Sequence, residues 1–564
     1  MTRASAALLA ALALTALNAA KPLVIDDPIY VTYAEQARAH PGDPYGFEFY
    51  WGDAPVPAMK MGTIPPVLPY SLALAMAVFG DRPVAWKLSL LPFALALTFS
   101  LAFLLGRFAR PIVIPVLFAA ALGPCVLPAF NLMLDVPALA LGLFAYALFV
   151  RACERSHGWL SLASGVALAL AMQTKYSAAV YPALVLAHAA IYRRPREGVI
   201  ALVAAASLFA GWEGFLIARY GQSHFLAGIA WARDLEHLPA VSRAAAEAPG
   251  TAALFWALSL LSLVGGTALL AGLLAMVGLG ARRLLVAGAA LVAGVGFAAI
   301  PALPRPPAFA AESFFGLLAA SYPEVFIFLP LGLGVAGALG AVAWRLLRSG
   351  EGEDPRSGRV LAAWLLIELV GYFAISPYPA VRRLIGVGIA ATVLAARAAS
   401  LRPAGPEVRG GVRIAVASGL ALGALYLGAE LSDARARSGV IARAVEQLPQ
   451  LGVQPDRETV WYVGHWELQF YAERAGMRPV IAGRSQLRPG DWLLLCAGTV
   501  QPALDFPNRG LRQRSVLPAA SPWPWSTIPR YYDGVIPLRR QPETQSVIRI
   551  FRVLRGITPR LKTR

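Results

Sequence analysis

Thirteen apolar runs, too many and too long for one water-soluble core, constrain this chain more than any other feature. They fall at 5–20, 84–106, 111–130, 133–150, 159–173, 176–192, 198–217, 253–278, 284–301, 323–344, 359–375, 384–398 and 412–428. A helix crossing a bilayer needs about 20 mostly apolar residues, and most of these runs approach that length. A further run, 67–79, has thirteen residues and reads as a half-inserted or interfacial helix. Composition agrees: 57% of residues are hydrophobic and 15% charged, against about 45–50% and about 25% in soluble domains. The chain therefore reads as an α-helical polytopic membrane protein with about 13 transmembrane helices. Disorder, collagen and a disulfide scaffold are excluded by the apolar content, the lack of a glycine repeat and the three cysteines, Cys125, Cys153 and Cys496. Their spacing matches no zinc motif.

The formal charge is +18. In a membrane chain, arginine in short cytoplasmic loops explains such an excess better than nucleic-acid binding. With the N-terminus and Arg3 in the cytoplasm, every second loop carries at least two arginines: Arg107 and Arg110; Arg151 and Arg155; Arg193, Arg194 and Arg196; Arg282 and Arg283; Arg345, Arg348, Arg356 and Arg359; Arg397, Arg402, Arg409 and Arg413. The first run is read as a retained span rather than a signal peptide, because its removal would spoil this alternation. An odd number of spans puts everything after residue 428 outside.

The chain thus divides into a transmembrane domain, 1–428, and an extracytoplasmic α/β domain, 429–564. In the latter, 459–464 (TVWYVG), 491–496 (DWLLLC) and 546–553 (SVIRIFRV) read as strands, and 466–476 (WELQFYAERAG) as an amphipathic helix. Three long outside loops remain, at 21–65, 218–252 and 302–322.

Candidate chemistry lies at the outer ends of spans. Asp26 and Asp27 follow the first span, where a carboxylate facing a water-filled cavity acts as a base or holds a cation; before Pro28 the same pair also reads as a helix cap. Asp135 opens an apolar span, with capping again the plainer reading. Lys175 lies between two spans and also reads as an interfacial snorkel. Arg382 and Arg383 (SPYPAVRRLIGVG) suit a phosphate or pyrophosphate headgroup, or a lipid anchor. Lys60 is a weaker phosphate candidate. His224 and His237, with Asp234, match no metal motif and read as surface residues. No GxSxG, Walker A, HExxH or Rossmann fingerprint occurs.

Taken in order, the acidic pair, the segment IYVTYAEQARAHPGDPYGF, the PP-x-x-x-Y segment ending in FG, LDVP and QTKYSAAVYP resemble the GT-C fold of integral-membrane glycosyltransferases. Within it they are most similar to the dolichyl-phosphate-mannose–protein mannosyltransferase-like group, which includes the aminoarabinose and lipopolysaccharide-core sugar transferases. The resemblance covers roughly residues 1–200 well, and the RRL segment and the tail more loosely.

The resemblance implies transfer of a sugar from a polyprenyl-phosphate donor to an acceptor hydroxyl of a lipid, glycan or protein, at the outer face of the cell (inner) membrane. It implies Asp26, or its neighbour Asp27, as the base; Asp135 as support for the acceptor or for a possible divalent cation; and Lys60, Lys175, Arg382 and Arg383 around the lipid phosphate. Two departures are visible. The pair is Asp-Asp where many relatives have Asp-Glu, and Ile64 precedes the PP pair where the aminoarabinose branch has Lys. A transporter or flippase of the cell-envelope pathway is the alternative; it predicts internal repeats, broken helices and ionisable groups near mid-membrane. A catalytically dead assembly protein is a third reading.

Overall fold

The structure is a computed structural model that describes residues 1–52, 54–234, 242–243, 251–280, 324–349, 354–454, 456–497, 504–540 and 546–561. The expected span 284–301, the loop 302–322, and Glu236 and His237 of loop 218–252 lie outside the described residues.

The chain opens with α1 (Arg3–Ala19), α2 (Asp27–Ala39), a hairpin of β1 (Glu48–Trp51) and β2 (Ala54–Pro57), and α3 (Ala58–Met61). Next come α4 (Val67–Phe79), α5 (Pro83–Leu88), α6 (Leu91–Phe108), α7 (Val113–Ala121), α8 (Asp135–Arg155), α9 (Gly158–Met172) and α10 (Val180–Tyr192). The helical region is completed by α11 (Pro195–Tyr220), α12 (His224–Arg233), α13 (Thr251–Thr267), α14 (Leu269–Leu279), α15 (Val325–Ser349), α16 (Pro355–Ile375), α17 (Ile385–Ser400) and α18 (Pro406–Gln450).

Among the described residues, six helices are long and apolar enough to cross a membrane, or seven if the bent pair α13–α14 counts as one span. Five other expected spans are shorter apolar helices, so the described residues do not reach the expected count of about 13 full-length spans. Two departures have clear causes. The run 111–130 stops being helical at Ala121, because Gly123, Pro124 and Pro128 cannot continue it. The run 253–278 bends by 81° after Thr267. There the Thr267 hydroxyl donates to the Leu263 carbonyl, and a Cβ on Gly265 would meet the Phe328 carbonyl oxygen at 2.0 Å; glycine pairs and inserted side chains are ordinary causes of kinks.

Helix α8 is the hub. It is buried on nearly all faces and packs on α6, α9 and α10. Gly142 admits the Tyr181 ring from α10, since a Cβ there would lie 2.2 Å from the ring. Helix α11 instead exposes Val199, Val203, Leu208 and Ile217, an apolar surface suited to lipid.

The arginine-bearing turns gather at one end of the bundle. Arg107 donates to Glu154 and to Asp354, each at 2.8 Å. Arg194 donates to Ser156, Arg397 to the Phe108 carbonyl and Arg345 to the Gly278 carbonyl. The loops that the arginine alternation assigns to one side are therefore neighbours in space.

Helix α18 has 45 residues, roughly 68 Å at 1.5 Å per residue. It continues past residue 428 and carries Val440, Ile441, Ala444 and Leu448 against the tail. The tail holds β3 (Val460–Val463), α19 (Glu467–Arg474), β4 (Arg478–Pro479), β5 (Trp492–Ala497), β6 (Leu504–Asp505), β7 (Leu511–Ala519), β8 (Trp525–Ser526), α20 (Arg530–Asp533), β9 (Arg539–Arg540), β10 (Ser546–Val553) and β11 (Arg560–Leu561). Its main sheet has the order β4-β3-β5-β10-β7, with β3 parallel to β4 and β5, and β10 antiparallel to β5 and β7. On β5, Trp492, Leu494 and Cys496 enter one core and Leu493 another, which explains its unbroken apolar run.

Candidate active site

The site forms where the N-terminal ends of α2 and α8 meet the turn before α17. A sharp turn follows α1, in which Ile25 has φ 51° and α2 begins at Asp27. Neither acid caps its helix in the expected way, because the carboxylates point to cations instead. Asp26 accepts from Arg382 Nη1 at 2.8 Å. Asp27 is fully buried, lies 3.5 Å from Lys87 Nζ and accepts from the Val24 amide. Burial pushes the Asp27 carboxyl above its ordinary value, and the Lys87 charge opposes that shift. Adjacent acids thus have different situations. Asp26 is partly open beside a guanidinium, and Asp27 is locked in a buried pair.

Asp135 is likewise the first residue of α8 and not its cap, and its carboxylate accepts from Lys175 Nζ. Lys175 therefore has a specific partner rather than a snorkelling role. Burial lowers the Lys175 ammonium to about 8, against the pull of Asp135.

A short 3₁₀ turn, Val381–Arg383, carries the two arginines. Arg382 also donates from Nε to the Tyr532 carbonyl and from Nη2 to the Tyr378 hydroxyl, both at 2.9 Å. A guanidinium has five N–H groups, so three are engaged here. Arg383 stacks 4.3 Å above the Tyr378 ring, and its buried Nε has no hydrogen-bond partner among the described residues. Asp135, Lys175, Arg382 and Arg383 line one cavity of about 70 Å³ between α8, α10, α16 and the turn before α17.

Five of the seven candidates therefore converge: Asp26, Asp135, Lys175, Arg382 and Arg383. Asp27 stands beside them in its own ion pair. Lys60 is exposed on α3, which packs on α12, and does not line the cavity. His224 corrects the surface expectation. It is fully buried, stacks on Tyr45 at 4.6 Å between ring centroids, and shares a 2.6 Å hydrogen bond with the Tyr176 hydroxyl. The helix α12 that carries it buries this one side chain, a pattern too short for periodicity to reveal.

Sequence reasoning also missed the residues that brace the site. The non-helical run 122–131 is buried and leaves carbonyls that need donors. Asn18 serves Leu127, Lys21 serves Pro128, and the Tyr531 hydroxyl serves Pro124 and Cys125. The Tyr532 hydroxyl donates to Glu430, which also pairs with Lys21 at 3.3 Å and accepts from Thr527. A buried Lys after the first span and a Glu after the last were visible signals, but only the fold shows that they meet.

Asp26 and Asp135 are each committed to a cationic side chain, and among the described residues no three His, Cys, Asp or Glu groups converge as metal ligands. The described residues do not compose a divalent-cation site.

No protein-family model matches the chain, and no curated protein matches it. Solved structures do. The oligosaccharyltransferase of Archaeoglobus fulgidus, in complex with Zn and sulfate, is similar over 85% of this chain and 62% of its own, at 13% identity and a TM-score of 0.46. The archaeal oligosaccharyltransferase AglB from Archaeoglobus fulgidus, in complex with an inhibitory peptide and a dolichol-phosphate, is similar over 85% of this chain and 63% of its own, at 12% identity and a TM-score of 0.46. ArnT from Cupriavidus metallidurans, bound to undecaprenyl phosphate, is similar over 87% and 92%, at 15% identity and 0.36. The chain spans less than two thirds of the archaeal chains to which it is similar.

Proposed function

We propose that this chain is a membrane glycosyltransferase that moves a sugar from a polyprenyl-phosphate donor to an acceptor hydroxyl at the outer face of the cell (inner) membrane, with inversion at the anomeric carbon. The N-terminus is cytoplasmic and the domain 429–564 extracytoplasmic in this reading. The acceptor is a lipid, glycan or protein that carries the hydroxyl.

One observation carries the proposal: the Asp26–Arg382 ion pair stands at a cavity also lined by Arg383 and Lys175. A carboxylate beside a set of cations supports reading the one as base and the others as phosphate ligands. The two remaining N–H groups of Arg382, the unpartnered Nε of Arg383 and the Lys175 ammonium are donors suited to a phosphate. As an arriving phosphate competes for Arg382, Asp26 is released to accept the acceptor's proton. The acceptor oxygen then bonds to the anomeric carbon, the carbon–oxygen bond to phosphate breaks, and the leaving phosphate keeps the electron pair. The cations stabilise that departing charge. Asp27 is not the base in this scheme, because freeing it would strand Lys87.

The test is transfer of a labelled sugar from polyprenyl-phosphate donors into membrane acceptors, with wild type, Asp26→Asn and Asp27→Asn. Loss of at least ~100-fold in the folded Asp26→Asn protein supports the reading. A folded Asp26→Asn protein with full transfer rejects Asp26 as base. A folded wild type that neither binds undecaprenyl phosphate nor transfers sugar rejects the reading altogether. The bend between α13 and α14 is a feature that the transporter alternative predicts; solute uptake into proteoliposomes without sugar transfer would favour it.

A further inference from the structure

Behind the arginines the same cavity has a second lining of a different chemical kind. Tyr181 from α10, and Glu368 and Tyr372 from α16, all line it. Both tyrosine hydroxyls are buried and have no hydrogen-bond partner among the described residues. Glu368 is buried, and its Oε1 accepts from the Trp364 indole at 3.2 Å. Its Oε2 faces α17, where a Cβ on Gly386 would lie 2.2 Å away, so glycine is what lets the carboxyl fit there. Buried polar groups are nearly always paired, and leaving several unpaired in one cavity is costly.

Each group is held by packing. The Tyr181 ring fills the notch over Gly142, and Trp256 meets the Tyr372 ring edge-on at 5.4 Å. Two phenols and a carboxyl offer both donors and acceptors without adding positive charge. They suit a neutral polyhydroxylated group, not a second phosphate. Their neighbours in the cavity are Lys175, Arg382 and Arg383, the cations of the proposed phosphate site.

We propose that Tyr181, Glu368 and Tyr372 form a hydroxyl-binding subsite that receives the sugar of the donor while its phosphate rests on the arginines. This rests on the glycosyltransferase reading and deepens it. The carboxyl accepts from a sugar hydroxyl, and each phenol donates to a sugar oxygen. The subsite therefore discriminates sugar-bearing from bare lipid phosphate.

The experiment uses the full chain in nanodiscs and measures dissociation constants for undecaprenyl phosphate and for undecaprenyl-phosphate glucose, galactose, mannose and aminoarabinose. Wild type is expected to bind at least one glycosylated lipid ten times or more tighter than the bare one. Tyr181→Phe and Tyr372→Phe each shrink that ratio by about 3–10-fold and Glu368→Gln by about 10-fold, while binding of bare lipid phosphate is unchanged. These conservative variants keep the ring or the carboxyl-group volume, and a binding signal for the bare lipid certifies their fold. The inference is overturned if no glycosylated lipid binds tighter than the bare one, or if the ratio survives in all three variants. Failure of wild type to bind any of the lipids overturns the glycosyltransferase reading itself.

Discussion

Asp26 and Asp27 are neighbours in sequence and opposites in setting. Asp26→Asn removes a partly open carboxylate whose partner Arg382 keeps two other hydrogen bonds, and is expected to cut transfer at least ~100-fold with a smaller loss of stability than Asp27→Asn. Asp27→Asn strands the buried Lys87 ammonium and is expected to destabilise the protein by about 3–5 kcal/mol. Thermal unfolding in detergent, measured beside transfer, separates the two effects. Lys175 supplies a pH test. Its ammonium is depressed to about 8, so it is charged below that pH and neutral above it. Affinity for undecaprenyl phosphate should fall as pH rises from 7 to 9.5, and Lys175→Arg, charged throughout, should flatten the profile. The acids and arginines were legible in the sequence because ionisable residues at span ends are conspicuous. Which acid meets which cation was not, since Asp26 and Arg382 are separated by most of the chain.

At the scale of elements, helix contacts depend on positions with no side chain. Gly142→Val on α8 would drive a methyl group into the Tyr181 ring. The expected cost is about 1–3 kcal/mol from overpacking, with a larger loss in binding of glycosylated lipid than of bare lipid. Unfolding temperature and the two affinities check this together. Apolar runs located most helices, but not where they stop or bend. The end of α7 at Ala121 and the break before α14 follow from glycine, proline and close contacts with other helices. In the tail, β10 spans the very residues expected, 546–553. Strand β7 went unseen because it is an edge strand, mostly exposed, with arginines where a core strand has apolar residues; Pro518 is tolerated at such an edge.

For the whole molecule, the tail acts as a brace. The Tyr531 hydroxyl donates to carbonyls in the buried run 122–131, the Tyr532 hydroxyl donates to Glu430, and the Tyr532 carbonyl orients Arg382. Glu430→Gln leaves Lys21 buried without its counter-charge, and a destabilisation of about 3–5 kcal/mol is expected; chemical unfolding in detergent measures it. Membrane orientation is testable through thiol labelling, because the three native cysteines are buried. A cysteine at Gln454 should react with an impermeant reagent on intact cells, and one at Arg155 only after permeabilisation. The reverse pattern would overturn the topology.

The residues alone settled that this chain is too apolar for water, that arginines cluster in every second loop between its apolar runs, and that the ends of those runs carry acids and cations. These are local properties, set by hydropathy and by the cost of placing charge in lipid. Tertiary structure decided the pairings: Asp26 with Arg382, Asp27 with Lys87, Asp135 with Lys175, and Lys21 with Glu430. It also decided that Tyr181, Glu368 and Tyr372 share a cavity. Partners drawn from distant helices are chosen by packing and by the requirement that buried polar groups find one another, and no short stretch of sequence contains that information.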